Sequence, residues 1–119
     1  MVTWTPSSAD DWGSLAVMSE WSGGPFTLDK MSSVLTAKGT SEATPSVTPS
    51  AAGELILATA ADENGTSTWT TPTNSFTSLT TPDSANVAAY LVDSATSPIS
   101  TSWGVNPSDS GVTAIFALS

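Results

Sequence analysis

From residue 32 onward, short apolar runs alternate with turn clusters at intervals of about ten residues, and this punctuation constrains the fold more than any other feature. "SSVLTAKG" predicts a strand near 32–38, and "TPSVTP" a short extended piece between Pro45 and Pro49. "ELILATAA", 54–61, is the most continuous apolar run and "DENGT" follows it. Asn64-Gly65 is the strongest short hairpin signal in the chain, because a type I′ turn needs positive φ at both central residues. "TSTWTTP" and "SFTSLTTP" predict two more strands, closed by Pro72 and Pro82. In "NVAAYLVD", Val87, Tyr90 and Leu91 fit a helical stripe, while Val87, Ala89 and Leu91 fit strand alternation. Its shortness and its β-like neighbours favour the strand. "ISTSWGV" and "GVTAIFALS" complete the series as two last strands around the turn "NPSDSG".

Composition agrees. Ser and Thr supply 40 of the 119 residues, with 8 Gly, 8 Pro and 11% charged residues. That mixture suits short β-strands and turns better than long helices. The expectation is an all-β chain, an antiparallel β-sandwich of jelly-roll or immunoglobulin-like type with roughly seven to nine short strands.

The first 24 residues stand apart. "TWTPSSADDWGSLAVMSEW", 3–21, fits a helix with a capping box at Ser8-Ala9-Asp10-Asp11 and with Trp12, Leu15, Ala16 and Ser19 at helical spacing. It also fits a hairpin whose second strand alternates Leu15, Val17, Ser19 and Trp21 with Ala16, Met18 and Glu20. Residues 102–119 favour the hairpin. Asp11 matches Asp109, Gly13 matches Gly111, Ala16 matches Ala114, and Val17-Met18 match Ile115-Phe116 at an offset of 98. The expected organisation is a hairpin extension over 1–24, with "SGGPFTLDKM" as a linker, and a sandwich domain over 25–119. Trp4, Trp12, Leu15, Val17, Met18 and Trp21 are then the candidate interaction residues, because a hairpin without a domain of its own needs a sheet to join.

Charge narrows the function classes. Eleven carboxylates face two lysines, Lys30 and Lys38, with no Arg or His, for a formal net charge of −9. Phosphate recognition depends on Lys and Arg, so nucleic acid and anionic membranes are not expected partners. No apolar run approaches the roughly 18 to 20 residues of a membrane-spanning helix. The start "MVTWTPSS" lacks the basic and apolar regions of a secretory signal, which implies either synthesis without that export route or a start that is not the natural one.

Chemistry has few carriers. Without His or Cys there is no Ser-His or Cys-His nucleophile system, and no cofactor is expected. A glycosidase-like carboxylate pair is arithmetically possible, but no cleft is evident in so short a chain, and an enzyme is not expected. Asp10-Asp11 and Asp62-Glu63-Asn64-Gly65 offer oxygens to calcium, yet neither has the spacing of a calcium loop, so solvated turns are expected and no metal. Asn64-Gly65-Thr66 fits a glycosylation sequon, on the same residues as the expected turn. Trp12, Trp21, Trp69 and Trp103 could stack on sugar rings. Core packing is the expectation for Trp69 and Trp103, since aromatic rings supply the largest burial per residue.

Residues 44–119 resemble the β-sandwich domains of tailed-bacteriophage structural proteins and of some bacterial surface proteins. The resemblance rests on a Pro-containing entry, on a "GDLLL"-like strand at Gly53-Glu54-Leu55-Ile56-Leu57, on a "PxGWTxL"-like segment from Pro72 to Leu79, and on a final aromatic-turn-strand unit. The chain departs from it at Phe76, where Trp is usual, and at Ser75, where Gly is usual. The resemblance implies a capsid decoration protein or an accessory part of a tail or fibre, on the outer surface of a virion. Its partners would be the major capsid or other virion proteins and copies of itself. A carbohydrate-binding or adhesin module of a secreted or cell-surface protein is the alternative.

Overall fold

The computed structural model describes residues 20–79 and 86–119. Trp4, Trp12, Leu15, Val17 and Met18, and with them the expected first hairpin and Asp10-Asp11, lie outside the described residues. Six strands are present and no helix among the described residues: β1 Leu28–Ala43, β2 Glu54–Asp62, β3 Thr68–Trp69, β4 Thr77–Ser78, β5 Asn86–Asp93 and β6 Ser102–Leu118. All pairings are antiparallel, in the order β1-β6-β2-β5-β4, with β3 on β6. The all-β, antiparallel expectation holds, and "NVAAYLVD" is a strand.

β2 lies in the middle, with β6 on one side and β5 on the other. Both edges of β2 are paired and its side chains sit between those of two neighbouring strands, so most of the strand is buried and its sequence is near-continuously apolar. Ile56, Ala58 and Ala60 point to one face, the closed one, and are essentially fully buried. They pack with Val87 and Ala89 of β5 and with Ile115 and Ala117 of β6. Small side chains dominate this layer, with Leu91 of β5 opposite Ile56 at its margin, and large ones pack onto it from outside: Trp103, Phe76 and Val47, with Trp69 and Ile99 beside them. Val47 and Ile99 exchange two main-chain hydrogen bonds, 3.0 and 2.8 Å, which fix the Pro45–Pro49 segment across the core.

The structure corrects four expectations. First, "SWGV" and "GVTAIFALS" are not two strands around a turn but the two halves of the 17-residue β6. Opposite them, β1 advances from Gly39 to Ser41 while β6 runs from Asp109 back to Gly104. Residues 105–108, between the paired Gly104 and Asp109, are therefore an insertion against a continuous partner, as in a β-bulge, and not a chain reversal. Trp103 and Ile115 belong to the same core although twelve residues separate them. A straight strand would hold them roughly 40 Å apart, so β6 bends sharply at the insertion.

Second, residues 102–119, expected as the final hairpin, are one bulged strand, while the hairpin expected at the start of the chain lies outside the described residues. Third, Asn64-Gly65 does not close a hairpin. Gly65 has φ 64°, as the turn signal requires, but both edges of β2 are taken, and the chain continues into β3, which pairs with β6. The Asp62 carboxylate accepts the amides of Gly65 (3.0 Å) and Ser67 (3.2 Å), so the loop closes on itself. Fourth, "SGGPFTLDKM" is a linker only at its start. Thr27 exchanges main-chain bonds of 2.7 and 3.0 Å with Ser119, and β1 begins at Leu28.

Candidate interaction surface

Cross-strand partners share a face, so the register orders the side chains on the second face of the sheet, the outer one, into rows. Leu28, Leu118, Leu55 and Val92 form the first row; Met31, Phe116, Leu57 and Tyr90 form the second. A third, of Ser33, Ala114, Thr59 and Ala88, is small and partly polar, and Leu35, Val112, Ala61 and Asn86 make the fourth. Leu28 is 55% exposed, Met31 58%, Leu35 83%, Val92 60% and Val112 42%. Five of the exposed large apolar side chains thus share one face, the pattern of a contact surface and not of scattered surface leucines.

Trp21 lies on this face. Its ring meets that of Tyr90 edge-on, with centroids 4.9 Å apart. Of the six interaction residues expected from sequence, it is the one within the described residues. Leu28, Met31 and Leu35 were missed. Residues 28–31 fall in the expected linker, and an extra residue between Leu28 and Lys30 shifts the phase of the strand, so no simple alternation marks the face.

β1 is also the long edge of the sheet. The opposite edge, β4, has two residues, while β1 has sixteen and hydrogen-bonds to β6 along one side. Both lysines of the chain lie on it. Lys30 reaches Asp29 and the Ser50 hydroxyl, each at 2.9 Å, and Asp29 also accepts the Ser50 amide. Lys30 beside it and the Ser50 donors hold the Asp29 carboxyl down at about 2. This cluster ties the start of β1 to the loop before β2. Charge on an edge strand opposes indiscriminate pairing.

Carboxylates gather at the far end of the β1-β6 ribbon. Glu42 pairs with Trp103 and is fully buried, with the Thr36 hydroxyl donating to Oε2 and no partner for Oε1. Burial pushes the Glu42 carboxyl above its usual range, aided by the nearby charges of Asp109 and Asp62. Asp109 is itself satisfied: it accepts the Asn64 amide (3.1 Å) and side chain (2.6 Å) and the Ser110 amide (2.9 Å). Among the described residues no group of three or more ligands is arranged to hold a metal ion. A shallow depression of about 390 Å³ beside this end is lined by Leu35, Thr36, Ala61, Asp62 and Val112. Glu63 and Ser110 also line it, the Ser110 hydroxyl donating to the Glu63 carboxylate.

Trp103 is 1% exposed and belongs to the core, and Trp69 is half-buried against it. Trp103 is therefore closed to a sugar ring, while Trp69 lines a shallow depression of about 260 Å³ with Thr40, Thr70 and Asn106. No protein-family model matches the chain, and no match was found among curated proteins or solved structures.

Proposed function

We propose that the chain is a non-enzymatic assembly subunit that joins a larger particle by extending its sheet. The observation that carries this reading is β1: a sixteen-residue strand at the edge of the sheet, flanked by exposed Leu28, Met31 and Leu35. Such an edge presents a row of main-chain donors and acceptors that a strand from a neighbour can complete, with apolar side chains adding contact area. The bend in β6 supports a two-layer, sandwich-like body behind that edge. The likeness to β-sandwich domains of tailed-bacteriophage structural proteins supports a virion setting, with capsid proteins and copies of this chain as partners. An excess of nine negative charges keeps such subunits apart until a specific contact forms.

The test is association. Sedimentation of the full chain across a wide concentration range, and co-sedimentation with candidate particles, should show binding that Met31→Lys and Leu35→Lys together reduce at least tenfold with an unchanged far-UV spectrum. Association that ignores both substitutions, or a monomer that binds no particle, would sink the reading.

A further inference from the structure

Asparagine followed by glycine carries a chemistry of its own. The glycine nitrogen attacks the asparagine side-chain carbonyl carbon, its proton leaves with the side-chain amide as ammonia, and water opens the succinimide to aspartate or isoaspartate. No Cβ screens a glycine nitrogen, so ring closure is easiest there. Of the four asparagines in the chain, Asn64 alone precedes glycine. It is exposed in the loop after β2, yet both reacting groups are held. The Asn64 side-chain nitrogen, which is the leaving group, donates to Asp109 at 2.6 Å, and the Asn64 main-chain amide donates to the other oxygen of that buried carboxylate at 3.1 Å. The Gly65 N–H, whose nitrogen must attack, donates to Asp62 at 3.0 Å. Glu63 donates its amide to the Ser110 carbonyl at 2.9 Å and so seats the loop on β6. Loss of ammonia breaks the Asp109 bond and loss of the Gly65 proton breaks the Asp62 bond, so two charge-assisted hydrogen bonds oppose the reaction.

We propose that Asn64 is a modification site guarded by Asp62 and Asp109, and that its conversion to aspartate or isoaspartate is a one-way charge switch at the bend of β6. The product replaces a hydrogen-bond donor with a carboxylate against the Asp109 carboxylate, and two carboxylates in one site repel. Asp109 pairs with Gly39 beside the insertion in β6, and its charge already faces Glu42. Conversion therefore drives the loop off β6 where that strand turns. The switch is independent of the assembly role argued above, since it uses neither the β1 edge nor the apolar outer face.

The test follows the mass shift from amide to acid at residue 64, with isoaspartate identified by fragmentation. The full chain is held folded, and in parallel unfolded in guanidinium chloride, at the same mildly alkaline pH and temperature. Conversion should be about tenfold faster in the unfolded chain, because the folded one reacts only through local opening of the loop. Asp62→Ala, with an unchanged far-UV spectrum, should quicken it several-fold in the folded chain. Equal rates in the folded and unfolded chain would overturn the guard, and faster conversion of Asn74 or Asn86 in the unfolded chain would overturn the choice of site. That comparison needs no substitution, so it decides the matter even where Asp62→Ala fails to fold. The switch is read from Asn64→Asp, which should lower the urea midpoint at neutral pH, with the loss closing as pH falls through the carboxylate range. An unchanged midpoint, or a loss that persists in acid, would overturn it.

Discussion

The two faces of the sheet are built from the same strands and nearly the same residue types, yet one is a core and the other a surface. On the closed face Ile56, Ala58, Ala60, Ala89, Ile115 and Ala117 are sealed by Trp103, Phe76 and Val47. On the outer face Leu28, Met31, Leu35 and Val92 stand more than half exposed. The difference lies in what the connections supply, since Phe76 and Val47 arrive from loops and Trp103 from beyond the bend in β6. The strand pattern makes both faces apolar, and the connections decide which is filled.

The widest gap between the faces should appear on truncating one large side chain of each. Trp103→Ala should cost about 3 to 5 kcal/mol, because it empties the centre of the closed face. Leu35→Ser, at 83% exposure, should stay within about 0.5 kcal/mol. Urea unfolding of the two variants measures this directly, and equal costs would erase the distinction.

Next in size is Gly111→Ala. A Cβ there would meet the Ala61 carbonyl oxygen at 2.2 Å, a main-chain atom that cannot rotate away. Overpacking of this kind costs about 1 to 3 kcal/mol, again read from the urea midpoint.

Glu42 probes the closed face by charge. Its carboxyl is raised above 4.5 in the folded chain, so the folded state holds the proton more tightly than the unfolded one. Its contribution is fully present below pH 4.5 and is lost as pH rises through the folded value. Glu42→Gln, which puts an amide where Asp62 and Asp109 face a carboxylate, should add about 1 kcal/mol at neutral pH and almost nothing below pH 4.5. Asp29 has the opposite sign. Its support is present above 3.8 and disappears as pH falls through about 2, so Asp29→Asn should flatten the acid limb of a stability profile.

The smallest effect concerns the loop that delivers Phe76. Ser75 has φ 64°, a conformation that suits glycine. Ser75→Gly should relieve strain there and leave a net gain of a few tenths of a kcal/mol, up to about 1, in thermal unfolding. A loss would mean that the loop is held by something other than its backbone.

Much of this fold was legible in the chain. The bounds of β2 and β5 follow from "ELILATAA" and "NVAAYLVD", because a central strand writes its burial into consecutive residues. The course of β6 does not follow, because Asn106, Pro107, Ser108 and Gly111 carry every local mark of a turn. Pairing with a continuous β1 overrides them, and that pairing joins residues some seventy positions apart. Trp21 could be named from its neighbours. Met31 and Leu35 could not, since their exposure depends on which face the loops fill, and no local pattern records that choice.

The placement of the two lysines has a practical result. Trypsin cuts after Lys and Arg, and this chain has no Arg, so its only possible cleavage sites are Lys30 and Lys38, both in β1. A protease normally used as a global probe becomes a gauge for one strand, able to report the opening or shielding of that edge while the rest of the molecule is invisible to it.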